Sequence, residues 1–128
     1  MLILGFTIRQ SKAYNSIGDW LKPQIEFKTE IYDFDKLDSA SNASYYFHYK
    51  NTGKSKLQIT DISTACGCTV VDWNPMTLGP GESDSLLITY DTHLMGYFTR
   101  EIVINSNSKT SPDRIYIKGM VERANNSD

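Results

Sequence analysis

Histidine and cysteine, the side chains that most often bind metals or carry acid–base and nucleophilic chemistry, are nearly missing here: two of each in 128 residues. That scarcity removes the paired Cys or His spacings of a zinc site, which require a second pair at a defined distance. Neither a glycine-rich phosphate loop nor a serine elbow occurs. No apolar run approaches the roughly 20 residues that cross a bilayer, so the chain does not read as an integral membrane protein. Thirteen Lys and Arg against 15 Asp and Glu leave a net charge of −2 with no basic cluster. Phosphate tracking draws on several basic side chains acting together, so nucleic acid is not an expected partner.

What remains is a chain of one-domain size with ordinary apolar content, able to bury a single core. Helical periodicity is hard to find after Lys22, whereas period-two alternation recurs every ten or so residues with turn signals between. In "QIEFKTEIYDF" Ile25 and Phe27 alternate, then Tyr32 and Phe34, with Thr29 and Glu30 as a break between two short segments. "ASYYFHYKNTG" puts Tyr45, Phe47 and Tyr49 on one face and closes in Asn51-Thr52-Gly53. "KLQITDIS" aligns Leu57 and Ile59 before Asp61 and Ile62 break the register. "LGPGES" sets Pro80 and Gly81 at the centre of a type II turn, and both Gly53 and Gly81 are expected at positive φ. Later strands carry Leu86, Ile88 and Tyr90, then Phe98, Ile102 and Ile104 with Arg100 out of phase, then Ile115 and Ile117. About seven antiparallel strands predict an all-β, immunoglobulin-like sandwich.

Residues 23–122 form that domain, residues 123–128 a polar tail, and residues 1–22 an N-terminal leader or trimmed export segment. "MLILGFTIRQSKA" opens with an apolar block and offers Ser11 and Ala13 at the spacing of a signal-peptidase site. It lacks a basic start, and Arg9 interrupts it.

The chemistry concentrates in "STACGCT", where Cys66 and Cys68 flank Gly67. On an extended strand two such residues share a face with Cα atoms ~6.6–6.8 Å apart, the outer edge of what a disulfide accepts. Three readings stay open: thiols packed at a strand end, a disulfide closed by a bend at Gly67, or half of a soft-metal site. His48 reads as an outer-face residue and His93 as a loop residue, so no nucleophile with a base and orienting group is assembled. No basic residue lies within five positions of the cysteines to lower a thiol pKa.

The ordered set "YDFDKL", "FHYKNTGKSKLQITDISTACGCT", "LGPGES", "ITYDTHLMGYFTREIVINSN" and "IYIKGMV", spanning Ile31 to Val121, resembles the bacterial family of domain of unknown function 1573. Cys66 and Cys68 fall on its cysteine motif, and Asn51, Gly53, Pro80 and Gly81 on its turn motifs. Asp35 departs from it, standing where relatives tend to have glycine. The resemblance implies an immunoglobulin-like fold similar to major sperm protein and to ciliary and centrosomal scaffold domains. It also implies an exported, envelope-associated address of the kind common in Bacteroidetes.

The expected function is a non-catalytic binding or scaffolding module of the bacterial cell envelope, periplasmic or envelope-associated, without a cofactor and with another protein as partner. The second expectation is a redox or soft-metal protein built on the Cys-Gly-Cys turn.

Overall fold

The computed structural model describes residue 18 and residues 20–124, so most of the leader and the end of the polar tail lie outside the described residues. Eight strands follow one another: β1 (Ile25–Phe27), β2 (Ile31–Asp38), β3 (Ala43–Asn51), β4 (Ile59–Thr64), β5 (Thr69–Asp72), β6 (Ser83–Tyr90), β7 (Gly96–Ser106) and β8 (Asp113–Glu122). They make two four-stranded sheets, ordered β1-β3-β6-β5 and β2-β8-β7-β4. The fold is the expected all-β, immunoglobulin-like sandwich with eight strands in place of seven. The break at Thr29 and Glu30 is where the chain changes sheets. Lys28 still donates its N–H to His48 of β3, while the Glu30 carbonyl already accepts from Tyr116 of β8.

One expectation is corrected. β2 runs parallel to β8, from Ile31 opposite Tyr116 to Asp38 opposite Glu122, while the other strand pairs are antiparallel. Three residues between β1 and β2 carry the chain across without room to reverse it. A register shift between Asp33 and Lys36 bends β2, and Asp35 sits there at φ 61° with its N–H donated to the Asp33 carboxylate at 2.8 Å. Aspartate is one of the few residues that tolerates this region.

The alternating apolar residues meet between the sheets: Phe47, Leu57, Ile59, Leu86, Ile88, Ile102, Ile104, Ile115 and Ile117 are all buried. Two aromatic stacks cross from sheet to sheet. Tyr32 lies on Tyr45 with ring centroids 3.7 Å apart, and Tyr90 on Phe98 at 3.8 Å. The anticipated break after Ile59 is a bulge between Ile59 and Asp61 in the pairing of β4 with β7.

Asn51, at the end of β3, is wholly buried and ties three segments together. Its Oδ1 accepts from Gln24 and Gly53 N–H groups at 3.3 and 3.0 Å, and its Nδ2 donates to the carbonyls of Ser55 and Leu78 at 2.8 and 2.9 Å. The Gly81 N–H donates to the Asn51 carbonyl, and Gly81 has the expected positive φ, 83°. Gly53 does not, which corrects the second turn. It is glycine for a different reason: a Cβ there would lie 2.4 Å from the Lys22 carbonyl oxygen and 2.5 Å from Gln24 N and Pro23 Cα. Among the described residues a second glycine at positive φ is Gly96, at 100°, which opens β7.

Candidate functional site

β4 belongs to one sheet and β5 to the other, so the four residues between Thr64 and Thr69 must carry the chain over the end of the sandwich. Cys66, Gly67 and Cys68 occupy that crossing. The contraction it demands brings the Cys66 and Cys68 Cα atoms to 5.2 Å, inside the disulfide range, and the two sulfurs are bonded. Of the three readings the structure selects the disulfide. Gly67 is exposed and not at positive φ, and a Cβ on it would meet nothing within 4 Å, so its need for glycine is not steric.

Backbone and side-chain hydrogen bonds hold the crossing independently of the sulfurs. The Cys66 carbonyl accepts from Thr64 Oγ1 at 3.0 Å and from the Thr69 N–H at 3.4 Å, and the Cys68 carbonyl accepts from the Asp91 N–H at 2.8 Å. The sulfurs themselves face donors. The Cys68 N–H points at Cys66 Sγ at 3.2 Å, Thr69 Oγ1 lies 3.7 Å from Cys68 Sγ, and Arg100 Nε donates to Cys68 Sγ at 3.2 Å.

Arg100 is the functional residue missed in the sequence: no basic residue lies within five positions of the cysteines along the chain, but the fold brings this one beside them. It lies 32 positions from Cys68 in the chain but next to it in space. Far from being out of phase, it keeps the inward parity of Phe98, Ile102 and Ile104. It can do so because it stands at the sandwich end, where its guanidinium lies 5.6 Å over the Tyr90 ring. The signal was present in that parity: a charged residue on an apolar face needs a partner.

The remaining candidates fall elsewhere. Asn51, Gly53, Pro80 and Gly81 gather at the opposite end of β3 and β6, as the pairings of Lys50 with Ser83 and of Thr69 with Tyr90 place them. His48 is exposed on the outer face of its sheet. His93, also exposed, puts Nδ1 2.8 Å from Asp91 Oδ1. The backbone N–H of His93, then its ring, hold the Asp91 carboxyl below the usual range. Among the described residues, no group of three or more His, Cys, Asp or Glu side chains is placed to hold a metal ion, and no helix is long and apolar enough to cross a membrane.

Residues 25–121, from the first strand to the last, match the family described as protein of unknown function, DUF1573. The chain belongs to that family. The human hydrocephalus-inducing protein homolog is 25% identical over 107 residues, 81% of this chain but 2% of that protein. A protein of unknown function from Porphyromonas gingivalis W83 superposes with TM-score 0.70 at 21% identity, covering 77% of this chain and 46% of that one. The ASH/PapD-like domain 7 of human CEP192 superposes with TM-score 0.67 at 10% identity, over 81% of this chain and 89% of the domain. At such identities the two structures speak for the fold alone.

Proposed function

We propose that this DUF1573 domain is a non-catalytic protein-binding module of the bacterial cell envelope. The observation that carries the binding role is the open edge of β5, which among the described residues pairs only with β6. The Cys68 carbonyl accepts from Asp91, so the alternation of an antiparallel ladder turns the peptide groups of Val71 away from β6 toward solvent. Val70 stands beside them 61% exposed, and Met76 beyond the strand is 72% exposed. An unpaired edge with an apolar side chain next to it is the surface that accepts an added strand. In the other sheet the β2 edge is bent at Asp35 and carries Asp33, Lys36 and Asp38, and the β4 edge is interrupted by the bulge between Ile59 and Asp61. The envelope address is supported by the Cys66–Cys68 disulfide, which suits an oxidising compartment.

The test uses the folded chain as bait in a bacterial envelope extract beside Val70→Lys, a change at an exposed position. A protein retained by the parent and lost from Val70→Lys, with the melting temperature unchanged, is the expected result. Retention indifferent to Val70→Lys defeats the edge assignment, and a partner recovered only from cytoplasmic extract defeats the address.

A further inference from the structure

We propose that Cys66 and Cys68 are a thiol–disulfide exchange site in which Cys66 is the attacked sulfur, Cys68 the leaving sulfur, and Arg100 the residue that stabilises Cys68 as it leaves. This goes beyond the binding role and does not depend on the β5 edge.

Three observations carry it. The first is asymmetry of access: Cys66 is partly exposed, while Cys68 is buried at 7% exposure, so an incoming thiolate reaches Cys66. The second is charge. Arg100 Nε lies 3.2 Å from Cys68 Sγ, and no carboxylate among the described residues forms an ion pair with that guanidinium. Its Nη1 donates to the Thr99 carbonyl at 3.0 Å and the Tyr90 ring lies beneath it, while the Thr69 hydroxyl faces the same Cys68 sulfur and the nearby Asp91 of the chain engages its carboxylate with His93. A cation in that place favours the thiolate over the thiol and makes Cys68 the better leaving group. The third is that the crossing is held by the Thr64, Thr69 and Asp91 hydrogen bonds, so both sulfurs keep their donors after the bond between them is broken. A loop of three residues gives the disulfide little entropic advantage, which leaves the stabilised dithiol form competitive.

The reductant is a protein dithiol. Its first thiolate attacks Cys66 Sγ and forms a new S–S bond; the Cys66–Cys68 bond breaks, and its electron pair stays on Cys68 Sγ beside Arg100. The partner's second thiol gives its proton to solvent and attacks its own first sulfur. That closes the partner's disulfide and releases Cys66 as a thiolate facing the Cys68 N–H. The partner loses two electrons, and this chain gains them.

The experiment uses the full chain with glutathione as the probe thiol. Adducts trapped by acid are mapped by peptide mass spectrometry, and the reduced protein is titrated by thiolate ultraviolet absorbance for wild type, Arg100→Gln and Arg100→Lys. Expected are a mixed disulfide on Cys66 and a first thiolate midpoint below that of free cysteine, about 8.5. Arg100→Gln should raise that midpoint by about one pH unit and, at a pH above both midpoints, move the glutathione equilibrium about tenfold toward the disulfide, with Arg100→Lys recovering most of both. Adducts on Cys68, a wild-type midpoint at or above that of free cysteine, or a midpoint unmoved in folded Arg100→Gln would each overturn the proposal. Should Arg100→Gln not fold, the wild-type midpoint and the adduct map decide alone.

Discussion

A single amide, that of Asn51, satisfies two backbone donors and two backbone acceptors from three different segments while wholly buried. In the sequence this residue reads as turn chemistry, because Asn-Thr-Gly after an alternating strand is a local signal. Its burial is not legible there, since it depends on Leu78 and Ser55 returning to the same place. Removing the amide takes a partner from four partly buried backbone groups, of which the Leu78 carbonyl keeps its bond from the Leu57 N–H, so Asn51→Ala should cost about 2 kcal/mol or more, read as a lower denaturant midpoint at unchanged slope. Asn51→Asp should not rescue it, because a carboxylate oxygen would then face the carbonyls of Ser55 and Leu78. The same contrast separates Pro80-Gly81, where the turn type is written in adjacent residues, from Arg100, whose partner lies 32 positions away.

At the scale of elements, alternation located the strands and their inward faces because each face is dictated by residues two apart. It could not supply the direction of β2, which follows from the three-residue crossing before it and from the position of β8, neither of which leaves a periodic trace. Nor could it separate the two glycines of the turns. Gly81 stands at positive φ with open space around its Cβ position, so Gly81→Ala should cost about 1 kcal/mol. Gly53 packs against the backbone entering β1, and backbone cannot rotate away as a side chain can. Gly53→Ala should therefore cost more than Gly81→Ala by about 2 kcal/mol, in the range of a backbone forced apart, with thermal melts of both variants as the comparison. The cysteine crossing was legible as a place where chemistry could occur, but its pairing depended on how sharply the chain turns between sheets.

For the molecule as a whole, the two sheets share one core, so a change in ionisation inside it bears on global unfolding. Tyr49 is buried there, and burial, reinforced by Asp84, pushes its hydroxyl from 10.0 to about 12. The folded chain thus keeps a proton that the unfolded chain gives up above about pH 10. This contribution is fully present below pH 10 and is lost as pH rises toward 12. Denaturant midpoints should fall along that alkaline limb, and Tyr49→Phe, which has no proton to lose, should flatten it; an equal slope in both proteins would place the titration elsewhere. The parallel pairing of β2 with β8 carries a consequence for biosynthesis. β1 can find β3 soon after both are made, but Ile31 has no strand to join until Tyr116 has been polymerised. A chain emerging from a ribosome or a translocation pore must therefore hold its second strand unpaired while β3 to β7 are made. The bend at Asp35 and the charges flanking it keep that waiting strand a poor template for neighbouring nascent chains.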